Sequence, residues 1–151
     1  MHKPLGVGVV GASVDGGWAK QSHVPAIEHL KDVDLRAVAT SRPESAYRSA
    51  RAFGARRGYA SAADLAADPA VDLVTVAVKV PSHADAVRVA IAAGKDVYCE
   101  WPLGVSTAQA QSLRDEASSV HTVIGLQARL VPAVQRARNL VKDGVLGRIL
   151  S

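Results

Sequence analysis

Strand-like and helix-like segments alternate along this chain, and that alternation constrains its fold more than any single motif does. LGVGVV (5–10), VDLRAVAT (33–40), VDLVTVAV (71–78), DVYCE (96–100) and TVIGLQ (122–127) are short, apolar and β-branched, as strands buried on both faces are. A weaker strand is expected at Gly58–Ala60. Pro25 is placed to open one helix at its first turn, and Pro43 another that closes at Gly54. SAAD (61–64) resembles a capping box, with Asp64 in place of the usual Glu, for a short helix ending before Pro69. Ser82 starts a helix that packs Ala86, Val87, Ala90 and Ile91 and stops at Gly94. Ser106 caps a further one, and VPAVQRARNLVKDG closes at Gly144. Strand and helix recur at roughly 25-residue spacing, which implies right-handed crossovers and a parallel sheet. The expected fold class is therefore α/β: a doubly wound parallel sheet, the Rossmann fold, with helices on both faces in three αβα layers. One domain is expected over residues 1–151, and GRILS (147–151) reads as the start of another strand.

Composition removes several classes of function. The net charge of +4 comes from dispersed arginines, only 4% of residues are aromatic, and no nucleic-acid motif is present. The expected partner is a small molecule, with no nucleic acid and no membrane, and a phosphate on that small molecule stays open. No apolar run approaches the roughly 20 residues of a membrane span, and Pro4 and Gly6 interrupt any signal-like start. Cys99 is the only cysteine, so no internal disulfide forms and a cytoplasmic location is expected; the residue reads as a small buried hydrophobe. His2, His29 and His121 lack metal-ligand spacing, and no metal site is expected.

A formal G-x-G-x-x-G match at Gly6, Gly8 and Gly11 has the wrong register, because its first two glycines fall inside the first strand. The turn begins at Gly11, in GASVDGGWAK. Gly11 then makes the tight turn, Ser13 takes the second glycine's place, and Gly16 or Gly17 permits close helix packing. Amides at such a strand-to-helix turn favour a pyrophosphate. Asp15 must then face solvent, since it would repel that ligand. The bland alternative is a glycine-rich turn with no ligand. Trp18 either covers the pyrophosphate or packs beneath the helix, and packing is the preferred reading.

The end of the second strand bears on which dinucleotide would bind. A free ribose 2′-hydroxyl is usually held by an acid there, yet this end reads ATSRPE. Asp32 and Asp34 lie at the strand's other end, roughly 15–20 Å away at about 3.3 Å per residue. Ser41 beside Arg42 suits a 2′-phosphate, so NADP is expected over NAD. Alternatively, Arg42 is simply a solvated residue before a helix.

The segments GVVGAS…GWAKQSHVPAI, VAVKVPSHADAVRVAIAAGKDVYCEWPLGVS and IGLQARLVPAVQRARNLVKDGVLGRI together resemble the amino-terminal domain of the Gfo/Idh/MocA family (glucose–fructose oxidoreductase, inositol dehydrogenase, rhizopine catabolism). GWAKQSHVPAI, CEWPL and LQAR are most similar to its galactose-regulon repressor branch, whose members keep the dehydrogenase fold but act as regulators. The resemblance implies a second domain, absent from this chain, that supplies most substrate contacts, an acid–base histidine and a homo-oligomer interface.

The resemblance also assigns residues. In family enzymes the corner after the fifth strand reads Glu-Lys-Pro, and its lysine reaches substrate and nicotinamide. Glu100 and Pro102 match, but Trp101 occupies the lysine position, and an indole cannot deliver a proton to an alkoxide. Lys79, at the end of the neighbouring strand about 4.8 Å away, is a candidate to supply the lost charge or is a plain strand-end lysine. Val80, Pro81 and His83 fall in the stretch that runs along the cofactor in relatives, although His83 also reads as a surface first-turn residue. Gln127 and Arg129 end the sixth strand, near nicotinamide or substrate in relatives, or else bond the missing domain. His23 matches a loop-to-helix histidine and reads as structural. Two functions follow: an NAD(P)-dependent oxidoreductase acting on a sugar, polyol or related carbonyl compound, with NADP favoured, or a non-catalytic NADP-sensing regulator. A generic nucleotide-binding module of another family fits less well. The chain alone is expected to bind cofactor weakly and catalyse nothing.

Overall fold

A computed structural model describes residues 3–148. Six parallel strands form one sheet: β1 Leu5–Val10, β2 Val33–Ala39, β3 Arg57–Tyr59, β4 Leu73–Val76, β5 Asp96–Glu100 and β6 Thr122–Gly125. Their spatial order is β3-β2-β1-β4-β5-β6, so the chain winds outward from β1 in one direction and from β4 in the other. The α/β doubly wound reading is correct. Of the calls on chain ends, His2 and most of GRILS (149–151) lie outside the described residues.

Alternation along the strands divides the core between the two faces of the sheet. Val7, Val9 and Val38 bury one side with Ala12, Ala19 and Ala50. Val10, Ala37, Ala39, Val74 and Val76 bury the other with Leu65, Ala90 and Leu113. Successive side chains of a strand point to opposite faces, so β1 and β2 feed both layers.

The helices are α1 Val24–Glu28, α2 Pro43–Ala52, α3 Ala62–Ala67, α4 His83–Ala92, α5 Thr107–Glu116 and α6 Pro132–Lys142. The Ser61 hydroxyl accepts from the Asp64 amide at 3.0 Å, and Ser106 accepts from the Gln109 amide at 3.2 Å, so both expected caps are made. Pro25 lies in the first turn of α1, as expected. A π turn, Ala19–His23, runs directly into α1. Proline has no amide to bond one turn back, and the wider turn accommodates it.

Two strands are shorter than their apolar runs. The Val71 amide donates to the Asp68 carbonyl in a turn, and β4 begins only at Leu73. β6 stops at Gly125, and Gln127–Leu130 forms a 3-10 turn. Gln127 and Arg129 therefore lie beyond the strand they were expected to end.

Candidate functional site

Chains leaving the carboxyl ends of β1 and β4 diverge, and open parallel sheets bind ligands at such a point. At Gly11 the chain turns with φ +94°, and its amide donates to the Ala39 carbonyl at 2.9 Å. A Cβ there would stand 2.6 Å from the Ala77 carbonyl oxygen. Only glycine meets both conditions.

The loop that follows is closed by its own bonds. The amides of Ser13, Asp15 and Gly16 bond within it, and the Val14 amide donates to the buried Ser49 hydroxyl on α2 at 3.0 Å. The amides of Ala12, Gly17 and Trp18 have no acceptor among the described residues. With the open first turn of the helix, they are the donors left for an anion. Asp15 is exposed and paired with Arg48 at 2.6 Å, which keeps its charge off the loop's interior.

Two expectations about this loop are corrected. Nothing lies within 4 Å of a Cβ built on Gly16 or Gly17, so neither serves close packing; their φ values of +149° and +102° are what call for glycine. Ala19, fully buried, makes the close contact with the sheet instead. Trp18 does not pack beneath the helix: it is 41% exposed and lines the crevice.

On the β2 side, Gly11, Ser13, Thr40, Ser41 and Ser61 help to line a cleft of about 350 Å³ whose walls carry no carboxylate. Arg42 caps the start of α2 as an exposed residue outside this lining. Asp34 sits at the far end of β2, paired with Arg36 at 2.7 Å.

On the β5 side, a crevice of about 440 Å³ brings together Trp18, Lys79, Pro81, Glu100, Trp101 and Gln127, with Val80 on the same wall. Trp101 is 66% exposed, and its peptide bond to Pro102 is cis. Glu100 is buried. Its Oε1 lies 2.7 Å from His23 Nε2, and its Oε2 accepts from Gln127 Nε2 at 2.8 Å. His23 also stands edge-on to the Tyr98 ring, with centroids 5.4 Å apart. The carboxylate thus ties three segments together instead of pointing free into the crevice.

His83 is not a surface residue. It is fully buried, with Nε2 2.9 Å from the Val78 carbonyl and Nδ1 3.0 Å from the Pro102 carbonyl. Its ring backs the crevice and joins the ends of β4 and β5, with neither nitrogen turned toward a ligand. Cys99 packs beside it, its thiol pushed up to about 12 by burial and by the Glu100 charge. Sequence reasoning missed Ser49 altogether. The available signal was Ser45 and Ser49, four residues apart on the face of α2 that also carries Ala46 and Ala50.

The family model of the Gfo/Idh/MocA proteins, an oxidoreductase family with an NAD-binding Rossmann fold, matches residues 5–127. This chain belongs to that family. Among Gfo/Idh/MocA relatives, dehydrogenase aclE of Aspergillus oryzae is 41% identical over 100% of this chain and 43% of its own length. The galactose/lactose metabolism regulatory protein GAL80 of Saccharomyces cerevisiae is 30% identical over 98% of this chain and 37% of its own. KijD10, a 3-ketoreductase from Actinomadura kijaniata solved with TDP-benzene and NADP, superposes with a TM-score of 0.84 at 26% identity, over 95% of this chain and 45% of KijD10. The chain thus spans less than half the length of each of these proteins. Among the described residues no helix is long and apolar enough to cross a membrane, and no cluster of three or more potential metal-ligating side chains is present.

Proposed function

We propose that this chain is the NADP-binding domain of an oxidoreductase acting on a sugar, polyol or related carbonyl compound. The observation that carries the reading is the meeting of the Gly11 turn and the Trp101 corner along one sheet edge. The residues present suit the dinucleotide. A glycine that no Cβ could replace and the amides of Ala12, Gly17 and Trp18 fit a diphosphate. Ser41 in the cleft lining and Arg42, exposed next to it at the start of α2, are the residues for the 2′-phosphate; Val80 and Pro81 wall the cofactor, and Lys79 adds positive charge. Two exposed indoles, Trp18 and Trp101, offer flat faces to the nicotinamide ring.

A bound nicotinamide would supply or accept the hydride of the redox step. This chain orients the cofactor. Proton transfer falls to a second domain that also carries most substrate contacts and the oligomer interface, with Lys79 assisting, because Trp101 has no proton of suitable acidity. A dehydrogenase and an NADP-bound ketoreductase among the relatives support this reading.

Titration of the chain with NADPH and NADH tests it. NADPH should bind about tenfold more tightly, the worth of roughly one charge-assisted pair, and Arg42→Ala should remove the difference while NADH binding persists. Binding of neither dinucleotide would overturn the proposal. A second reading, a non-catalytic NADP sensor, draws on Trp101 at the lysine position and on the likeness to GAL80. NADPH oxidation by the full-length protein with any sugar or keto-sugar eliminates it.

A further inference from the structure

A second cavity, of about 390 Å³, lies beyond Trp101 and is lined by Trp101, Gly125, Leu126, Gln127, Ala128 and Arg129. Trp101 and Gln127 belong also to the dinucleotide crevice, so the two spaces adjoin across one indole. We propose that this cavity is a substrate subsite selecting a ring molecule with an anionic substituent, a carboxylate or a phosphate. Its position beside a nicotinamide rests on the cofactor reading above, whereas its ligand chemistry rests on its own walls.

Those walls have two characters. Part of the lining is apolar: Trp101, 66% exposed, with Leu126, 45% exposed, and Ala128. Such a surface stacks against the apolar face of a sugar or an aromatic ring. Arg129 also lines the cavity, and its guanidinium has no carboxylate partner among the described residues. No acid lines the cavity. Glu100 is the carboxylate on the far side of the indole, and both of its oxygens are engaged by His23 and Gln127. Lys79 in the adjoining crevice has the same sign as Arg129. An anion therefore gains charge-assisted bonds that a neutral analogue does not, and a guanidinium suits the planar carboxylate or a phosphate face.

The turn that carries Arg129 is held at several points. The Arg129 amide donates to the Leu126 carbonyl at 3.0 Å, Gln135 donates to the Arg129 carbonyl, and Gln127 is bonded to Glu100. The cavity lies near the lower end of the size range for small-ligand pockets, roughly 300–1,000 Å³, which suits a monosaccharide or a monocyclic acid.

The test uses the chain carrying Trp18→Phe, so that Trp101 is the sole indole reporter. Glucuronate, glucose 6-phosphate and glucose are titrated with and without NADPH, and NADPH binding is followed separately, in the parent chain that keeps Trp18, by the cofactor's own fluorescence. At least one anionic sugar should shift the Trp101 emission with a Kd about fivefold or more below that of glucose. Arg129→Gln should remove that preference, Arg129→Lys should keep part of it, and about 0.5 M salt should weaken it. The tighter of the two anions identifies carboxylate or phosphate as the preferred group. Equal binding of all three sugars, or a preference that survives Arg129→Gln, overturns the subsite. NADPH binding without anion preference rejects the subsite and leaves the cofactor reading intact; anion preference without NADPH binding does the reverse.

Discussion

His23 Nε2 lies 2.7 Å from Glu100 Oε1, and this contact joins the helix after the glycine turn to the corner that bears Trp101. The second carboxylate oxygen takes the Gln127 amide, so one side chain holds three segments at the crevice. Glu100 is only 7% exposed, and truncation would leave two partners without an acceptor. Glu100→Ala should cost about 2–3 kcal/mol in urea unfolding, and Glu100→Gln, which keeps the shape, about 1 kcal/mol. Equal stability of the alanine variant and the parent would remove the clamp from the account.

Gly11 and Gly16 both have positive φ, but only Gly11 has a neighbour in the way. Gly11→Ala should destabilise by about 2–4 kcal/mol, combining left-handed strain with the collision at the Ala77 carbonyl, and should abolish NADPH binding. Gly16→Ala meets open space, so it should cost only the strain, about 1–2 kcal/mol, and retain binding. Thermal melts with and without NADPH separate the two.

The Cys99 thiol is pushed up to about 12, chiefly by burial and then by the Glu100 charge. At pH 8 about one thiol in ten thousand is ionised, so the native chain should be inert to an aromatic disulfide reagent and should react on unfolding in urea. Rapid reaction of the folded chain would mean that the corner opens.

What the sequence made legible were features written in local pattern. The apolar β-branched runs located five of the six strands, β3 reading only as a weak one, and Ser61 and Ser106 located two helix starts, because alternation and capping depend on near neighbours. Strand ends were less legible: β4 begins only after the Asp68 turn, and β6 stops at Gly125, beside which the Tyr98 hydroxyl leaves no room for a side chain. Trp18 was misread because buried tryptophan is the common case. Here Ala12 and Ala19 already fill the space between the helix and β1. The site of His83 was hidden for a different reason: one of its carbonyl partners, Pro102, lies 19 residues away. Arg42 stood legibly beside the β2 end, yet the cleft there is lined by Thr40 and Ser41 and not by Arg42 itself.

Asp68 should set part of the acid sensitivity of the chain. Burial alone would raise its pKa, but the Ala70 amide, the Tyr59 hydroxyl and the Arg57 guanidinium together outweigh burial and bring it below the ordinary 3.8. A carboxyl with a depressed folded pKa binds protons less readily when folded than when unfolded. Its contribution is therefore present above the unfolded value and lost as the pH falls through the folded one. Asp68 also steadies Tyr59, next to the Ala60–Ala62 wall of the β2-side cleft, so acid should loosen that wall. Urea unfolding between about pH 5 and pH 2 should show stability falling in the parent and a shallower fall in Asp68→Asn. An unchanged slope in the asparagine variant would assign the acid sensitivity to other carboxylates.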